Sequence, residues 1–171
     1  YMLDAFGKVF TFGDAEFFGE ANLDDAVDLE ITKTGYYILD KEGRVHDYGF
    51  IDHYGDGPLD EYVDMELENQ GYYLLKKTGD IISLGNVIPL TGINMDNAVD
   101  LEITKNGYYI LDDNGIVHSF GEAKQFENIF LEDLSAKDLE VTPESNGYYI
   151  LSGYGNVYSY NAAIGFYGPE I

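Results

Sequence analysis

A unit of about 36 residues recurs along the chain, and this self-similarity restricts the fold to architectures made by stacking copies of one small element. Laid over itself at that shift, the chain matches Tyr1-Met2-Leu3-Asp4 with Tyr37-Ile38-Leu39-Asp40, then Tyr73-Leu74-Leu75-Lys76, then Tyr109-Ile110-Leu111-Asp112. The fifth copy, Tyr149-Ile150-Leu151-Ser152, arrives about four residues late. The extra residues fall near Phe130 to Ser135 and near Pro143 to Asn146, between patterned segments, where loops absorb insertions. The units run approximately over 1–35, 36–71, 72–107, 108–147 and 148–171, and we read 1–171 as a single repeat domain.

Within a unit the pattern is that of short strands. Val27-Asp28-Leu29-Glu30-Ile31-Thr32 alternates apolar and polar residues with a period of two, as a strand does; we call it the acidic strand. A glycine (Gly35, Gly71, Gly107, Gly147) is expected to turn the chain into a Tyr-Tyr-apolar-Leu run, the tyrosine strand, whose aromatic content favours extended backbone. Asp40-Lys41-Glu42-Gly43 and Asp112-Asp113-Asn114-Gly115 read as tight turns into a hairpin partner such as Arg44 to Gly49. A fourth short strand is expected over Gly13 to Gly19 and Gly49 to Gly55. No useful stretch has a helical apolar period. The expected fold class is therefore all-β: a β-propeller of about five four-stranded blades, with a linear β-solenoid of stacked hairpins as the alternative.

These residues resemble a family of secreted or surface bacterial β-propeller repeats, with Gly-Tyr-aromatic-Leu-Val, then Gly-x-Val-x-x-Phe-Gly-Asp-Ala, and blades in the NHL style. Gly35-Tyr36-Tyr37-Ile38-Leu39, Gly43, Val45, Tyr48-Gly49 and Phe12-Gly13-Asp14-Ala15-Glu16-Phe17 carry the likeness, over essentially the whole chain. It implies blade architecture and an extracellular or cell-surface location, and it does not specify a ligand. The chain departs from that pattern in having no Trp, and in placing a bulkier Val-Asp-Leu-Glu-Ile segment where the family has small residues. A weaker similarity is to choline- and glucan-binding repeats, which also carry Gly-Tyr-Tyr-x-Leu-Asp hairpins.

The tyrosine strand occurs five times, whereas the acidic strand occurs four times, starting at Val27, Val63, Val99 and Lys137. One inner strand is missing: the chain opens at Tyr1 in mid-pattern, with neither initiator Met nor signal sequence, and reaches Gly168-Pro169-Glu170-Ile171 where another would begin. Closing five blades takes about ten more residues, so the sequence predicts a processed or excerpted chain. The gap is either a consequence of which residues the sequence includes or a socket for a neighbouring chain; in the second case the unpaired edge invites strand addition, and we expect it to mediate head-to-tail assembly with copies of the same chain or with another protein.

Charge narrows the partners. Lys plus Arg is 9 against 32 Asp plus Glu, a formal net charge of -23, which disfavours nucleic acid and anionic membranes. No stretch is apolar enough for membrane insertion. At 45% hydrophobic and 15% aromatic the chain has the makings of a core, and without Cys it has neither disulfides nor thiolate chemistry.

The acidic pairs recur at one place in the repeat: Asp28 and Glu30, Asp64 and Glu66, Asp100 and Glu102, Asp138 and Glu140. We expect each to accept hydrogen bonds from Tyr hydroxyls and turn amides of the next blade. Their alternative role is to hold Ca²⁺ in a ring of carboxylates; paired catalytic carboxylates, as in propeller glycosidases, come third, because repetition suits packing better than one asymmetric active site. Asn22 to Asp25 and Asn94 to Asn97 read as capping turns, without the ligand density of an EF-hand. His46 and His118 share a repeat position with Phe10, Ile82 and Tyr158, so they read as packing residues; His53 has no evident triad partner nearby in sequence. The expectation is a non-catalytic, cofactor-free structural or interaction module, with a glycan- or Ca²⁺-binding lectin-like module as the alternative.

Overall fold

Alternating apolar residues bounded by turns give strands throughout, and the computed structural model, which describes residues 1–128 and 135–161, contains no helix among them. Most of the insertion expected at Phe130 to Ser135, and the end at Gly168 to Ile171, lie outside the described residues. The chain divides into two compact units, Tyr1–Asn94 and Met95–Ile171.

The first unit holds β1 (Met2–Leu3), β2 (Val9–Phe10), β3 (Ala26–Ile31), β4 (Gly35–Asp40), β5 (Val45–Gly49), β6 (Tyr62–Glu68), β7 (Gly71–Lys76) and β8 (Ile81–Gly85). They form a two-stranded sheet β1-β2 and two antiparallel three-stranded sheets, β3-β4-β5 and β6-β7-β8. The second unit repeats that design in β9 (Ala98–Thr104), β10 (Gly107–Asp112) and β11 (Val117–Gly121), then β12 (Ala136–Val141), β13 (Tyr148–Ser152) and β14 (Val157–Tyr160). In every three-stranded sheet the tyrosine strand is central, flanked by the acidic strand and the hairpin partner.

The sheets stack because the tyrosine strand is greasy on both faces. β4 is buried along its whole length. Residues of one parity, Tyr36 and Ile38, join Val9, Leu3 and Leu29 in a cluster shared with the β1-β2 sheet. Those of the other parity, Tyr37 and Leu39, join Tyr62, Met65, Tyr72 and Leu74 of the following sheet. In the second unit, Tyr109 and Leu111 meet Leu139, Tyr148 and Ile150 in the same way. A two-sided strand of this kind cannot bury both faces unless sheets lie on either side of it.

Three expectations need correction. The fourth strand is absent among the described residues: 13–19 and 50–60 are irregular, so each sheet has three strands at most. Gly49 (φ 100) takes the chain out of the ladder after β5, and the carbonyls that follow are taken up by tyrosine hydroxyls instead of a neighbouring strand. Gly35 does not turn the chain; it lies within β4 opposite Gly49, where a Cβ would stand 2.1 Å from the Tyr48 carbonyl oxygen, so close approach of backbones explains it. The acidic strands also fail to alternate strictly, since each carries a bulge just before its Asp, as between Ala26 and Asp28.

Candidate functional site

The recurrent acidic strand defines the site. Below the bulge its register against the tyrosine strand is constant: Asp28 opposes Leu39, Asp64 opposes Leu75, Asp100 opposes Leu111 and Asp138 opposes Leu151. Within each unit one acidic strand runs alongside the next, β3 beside β6 in the first and β9 beside β12 in the second.

Three of the carboxylates, Asp28, Glu30 and Asp100, accept backbone amides. Asp28 Oδ2 accepts a hydrogen bond from Met65 N at 3.2 Å, and Glu30 accepts one from Leu67 N, so β3 is joined to β6 by side chains instead of a backbone ladder. Asp100 Oδ2 repeats the bond with Leu139 N at 3.1 Å, joining β9 to β12. Burial, with the Asp28 charge adding to it, pushes the Glu30 carboxyl up to about 8, against the partial relief of the Leu67 amide. Asp64 and Asp100 are buried, Glu66 and Glu102 half-buried. Asp138 and Glu140 are exposed as whole residues, although partial burial of the Asp138 carboxyl still raises it above the usual range. Among the described residues no three His, Asp or Glu side chains converge as a metal-holding group.

The tyrosine hydroxyls go elsewhere than expected, to loop backbone. In four copies the second tyrosine of the strand reaches forward within its own repeat: Tyr1 to the Glu16 carbonyl (2.7 Å), Tyr37 to Asp52 (2.6 Å), Tyr73 to Ile88 (2.9 Å) and Tyr109 to Lys124 (2.9 Å). The first tyrosine reaches back to the preceding loop: Tyr36 to the Gly19 carbonyl, Tyr72 to Gly55 (2.5 Å) and Tyr148 to Glu127 (3.0 Å). Three of these segments, around Glu16 to Gly19, Asp52 to Gly55 and Lys124 to Glu127, are clamped by tyrosines of two successive repeats. Desolvation pushes Tyr37 and Tyr62 up to about 12, and Tyr72 is raised as well.

The histidines pair with carboxylates. His46 Nε2 lies 3.0 Å from Oδ2 of buried Asp40, whose Oδ1 accepts the Glu42 and Arg44 amides; His118 and Asp112 repeat this at 3.3 Å. His53 Nδ1 sits 2.9 Å from Asp47, a partner six residues away that was not evident in the sequence. The loop preceding β3 uses backbone as its cap: the Asp25 carbonyl accepts Lys41 N at 3.0 Å, and Asn97 repeats the bond with Asp113 N at 2.9 Å.

At the first sheet the series is interrupted. β1 pairs with β2 alone, in the register that β4 uses for β5, and no acidic strand lies on its other side among the described residues. In its place is a groove of about 330 Å³, walled by Tyr1 to Ala5 and by Ala26 to Leu29 with Ile31. Met2 and Ile31 stand about half exposed along it.

No protein-family model matches this sequence, and no curated protein matches it. Among solved structures the chain is similar to the computationally designed Ika4 protein, at 14% identity and a TM-score of 0.52 over 78% of this chain and 88% of that one. It is also similar to Kluyveromyces lactis Hsv2, a β-propeller, at 11% identity and a TM-score of 0.52 over 85% of this chain and 52% of that one. The chain thus spans about half the length of that Hsv2 structure. Likeness at this level concerns architecture alone: the fold is β-propeller-like, built from five small antiparallel sheets.

Proposed function

We propose that this chain is a non-catalytic interaction module of an extracellular or surface protein: five propeller-type blades, the first lacking its inner strand, that assemble head to tail through the edge this leaves open. The single observation behind the reading is that first sheet, which among the described residues has two strands where four other copies of the same pattern have three. Open edges are where chains add to one another, and the groove beside this edge offers Met2, Leu3, Leu29 and Ile31 as apolar contacts together with the polar Asp4 and Asp28. The chemistry of the acidic pairs supports a structural role over a catalytic one. Asp28, Glu30 and Asp100 already accept strand amides, and a carboxylate held this way braces two strands together.

Sedimentation velocity across a wide concentration range tests the reading. A mass that climbs with concentration, and falls back when Ile31 at the groove is changed to Lys, is the expected result. A chain that stays monomeric throughout, and gains thermal stability on adding Ca²⁺ or oligosaccharides, would contradict it.

A further inference from the structure

We propose that the cavity between the β3–β4 turn and the β6–β7 turn binds a neutral sugar, stacked on Tyr54, with Asp52 and Glu68 accepting from its hydroxyls and Lys33 and Asn69 donating to them. The site shares no residue with the groove beside β1, so the inference goes beyond the assembly reading and does not depend on it.

The cavity has the size and the walls that such a ligand needs. Its volume is about 540 Å³, within the range of small-molecule sites. One wall is the β3–β4 turn with Ile51, Asp52 and Tyr54 of the segment after β5; the other is Leu67 to Asn69 of the following repeat. The first wall is fixed before any ligand arrives. Phe50 N donates to the Thr34 carbonyl at 2.8 Å, the Thr34 hydroxyl returns a bond to the Phe50 carbonyl at 3.0 Å, and the Tyr37 hydroxyl holds the Asp52 carbonyl at 2.6 Å. A site ordered in advance gives up little conformational entropy on binding.

The side chains left over match a polyhydroxylated ring. Tyr54 is half-buried: it meets Tyr72 edge to face, with ring centres 5.5 Å apart, and its remaining surface lines the cavity. An aromatic ring is apolar on its faces, as is the C–H side of a pyranose. The exposed Asp52 carboxylate has neither an ion-pair nor a hydrogen-bond partner among the described residues, and neither has the Lys33 ammonium, in a chain of net charge -23. Glu68 accepts the backbone amide of Asn69 at 2.9 Å and its side-chain amide at 2.7 Å through one oxygen, which leaves the second oxygen and one Asn69 N–H for a ligand. Each wall thus brings one carboxylate and one N–H donor. Hydroxyls, which donate and accept at once, satisfy both kinds of group, whereas an anionic ligand meets two carboxylates and a cationic one meets Lys33.

The next repeat supplies an internal comparison. It carries the same clasp, Asn86 N to the Gln70 carbonyl at 2.8 Å and the Tyr73 hydroxyl to the Ile88 carbonyl at 2.9 Å, beside a cavity of about 390 Å³. There Ile88 stands where Asp52 does, and Leu90 where Tyr54 does. The scaffold is shared and the ligand-facing side chains are not, so the needs of the scaffold do not account for Asp52 and Tyr54.

The test follows the amide shifts of the isotope-labelled chain by NMR on adding glucose, galactose, mannose or N-acetylglucosamine, with glucuronate as the anionic control. Saturable millimolar binding of at least one neutral sugar is expected, with the largest shifts at Thr34, Asp52, Tyr54 and Asn69. Asp52→Asn, at an exposed side chain, should weaken it about tenfold while the shifts of β7 stay in place and report an intact fold. Tyr54→Leu, which copies Leu90 of the next repeat, should weaken it about tenfold or more. No saturable shift at these residues with any of the neutral sugars at tens of millimolar, equal affinity for glucuronate, or affinity unmoved by Asp52→Asn overturns the proposal.

Discussion

At Tyr72 a buried ring delivers one hydroxyl to a loop carbonyl, Gly55 O, that has no strand to pair with. Tyr72→Phe keeps the packing and orphans that carbonyl, so urea denaturation should register a loss of about 1–2 kcal/mol with little change in slope. Glu30 makes a prediction of opposite sense. Its folded pKa of about 8 stands above the ordinary 4.5, so the folded state holds a proton that the unfolded chain releases between these values. Stability from this group is full below the lower value and is lost as pH rises toward 8. Glu30→Gln, followed by thermal melts across pH 5 to 9, should flatten that slope and be the more stable protein at the alkaline end. The aromatic excess was legible as mostly core because short strands need rings of that size for burial, but which tyrosines are buried and their clamping role were not. A backbone carbonyl accepts regardless of which residue bears it, so the acceptors leave no trace in residue type.

Among the elements, the acidic and tyrosine strands and the hairpin turns were legible because each has a period or a turn residue that only one conformation suits. The bulges were hidden, since the inserted residue is Val in three copies, at an apolar place in the alternation, and only Lys137 in the fourth copy breaks the pattern. The expected fourth strand failed because its aromatic run looks extended while its backbone groups are taken by tyrosine hydroxyls from two sheets. Carboxylates were correctly expected to accept hydrogen bonds, and the structure changes the donors from Tyr hydroxyls and turn amides to amides of the neighbouring acidic strand. The turn offers a clean comparison. Gly43 has φ 95, and a Cβ there would meet Tyr62 Cε2 at 2.3 Å, whereas Gly155, at φ 82, would place a Cβ in open space. Gly155→Ala should cost only the left-handed penalty of about 1–2 kcal/mol, and Gly43→Ala measurably more, because the Tyr62 ring must also move; calorimetric melts of the two variants compare them directly.

For the molecule as a whole, the neighbouring three-stranded sheets within each unit are fastened twice, by two-sided tyrosine strands and by carboxylates laid onto the next strand's amides. The first sheet exposes what that second fastening needs. Amide hydrogen exchange by NMR examines this residue by residue. In the free chain, Met65 and Leu67 should be strongly protected, while Leu29 and Ile31, at the same register positions, exchange much faster, and Asp28→Ala with Glu30→Ala, which removes both acceptors, should release Met65 and Leu67 toward the faster rate. Equal protection of Leu29 and Met65 in the free chain, or no response of Met65 to loss of the carboxylates, would contradict it.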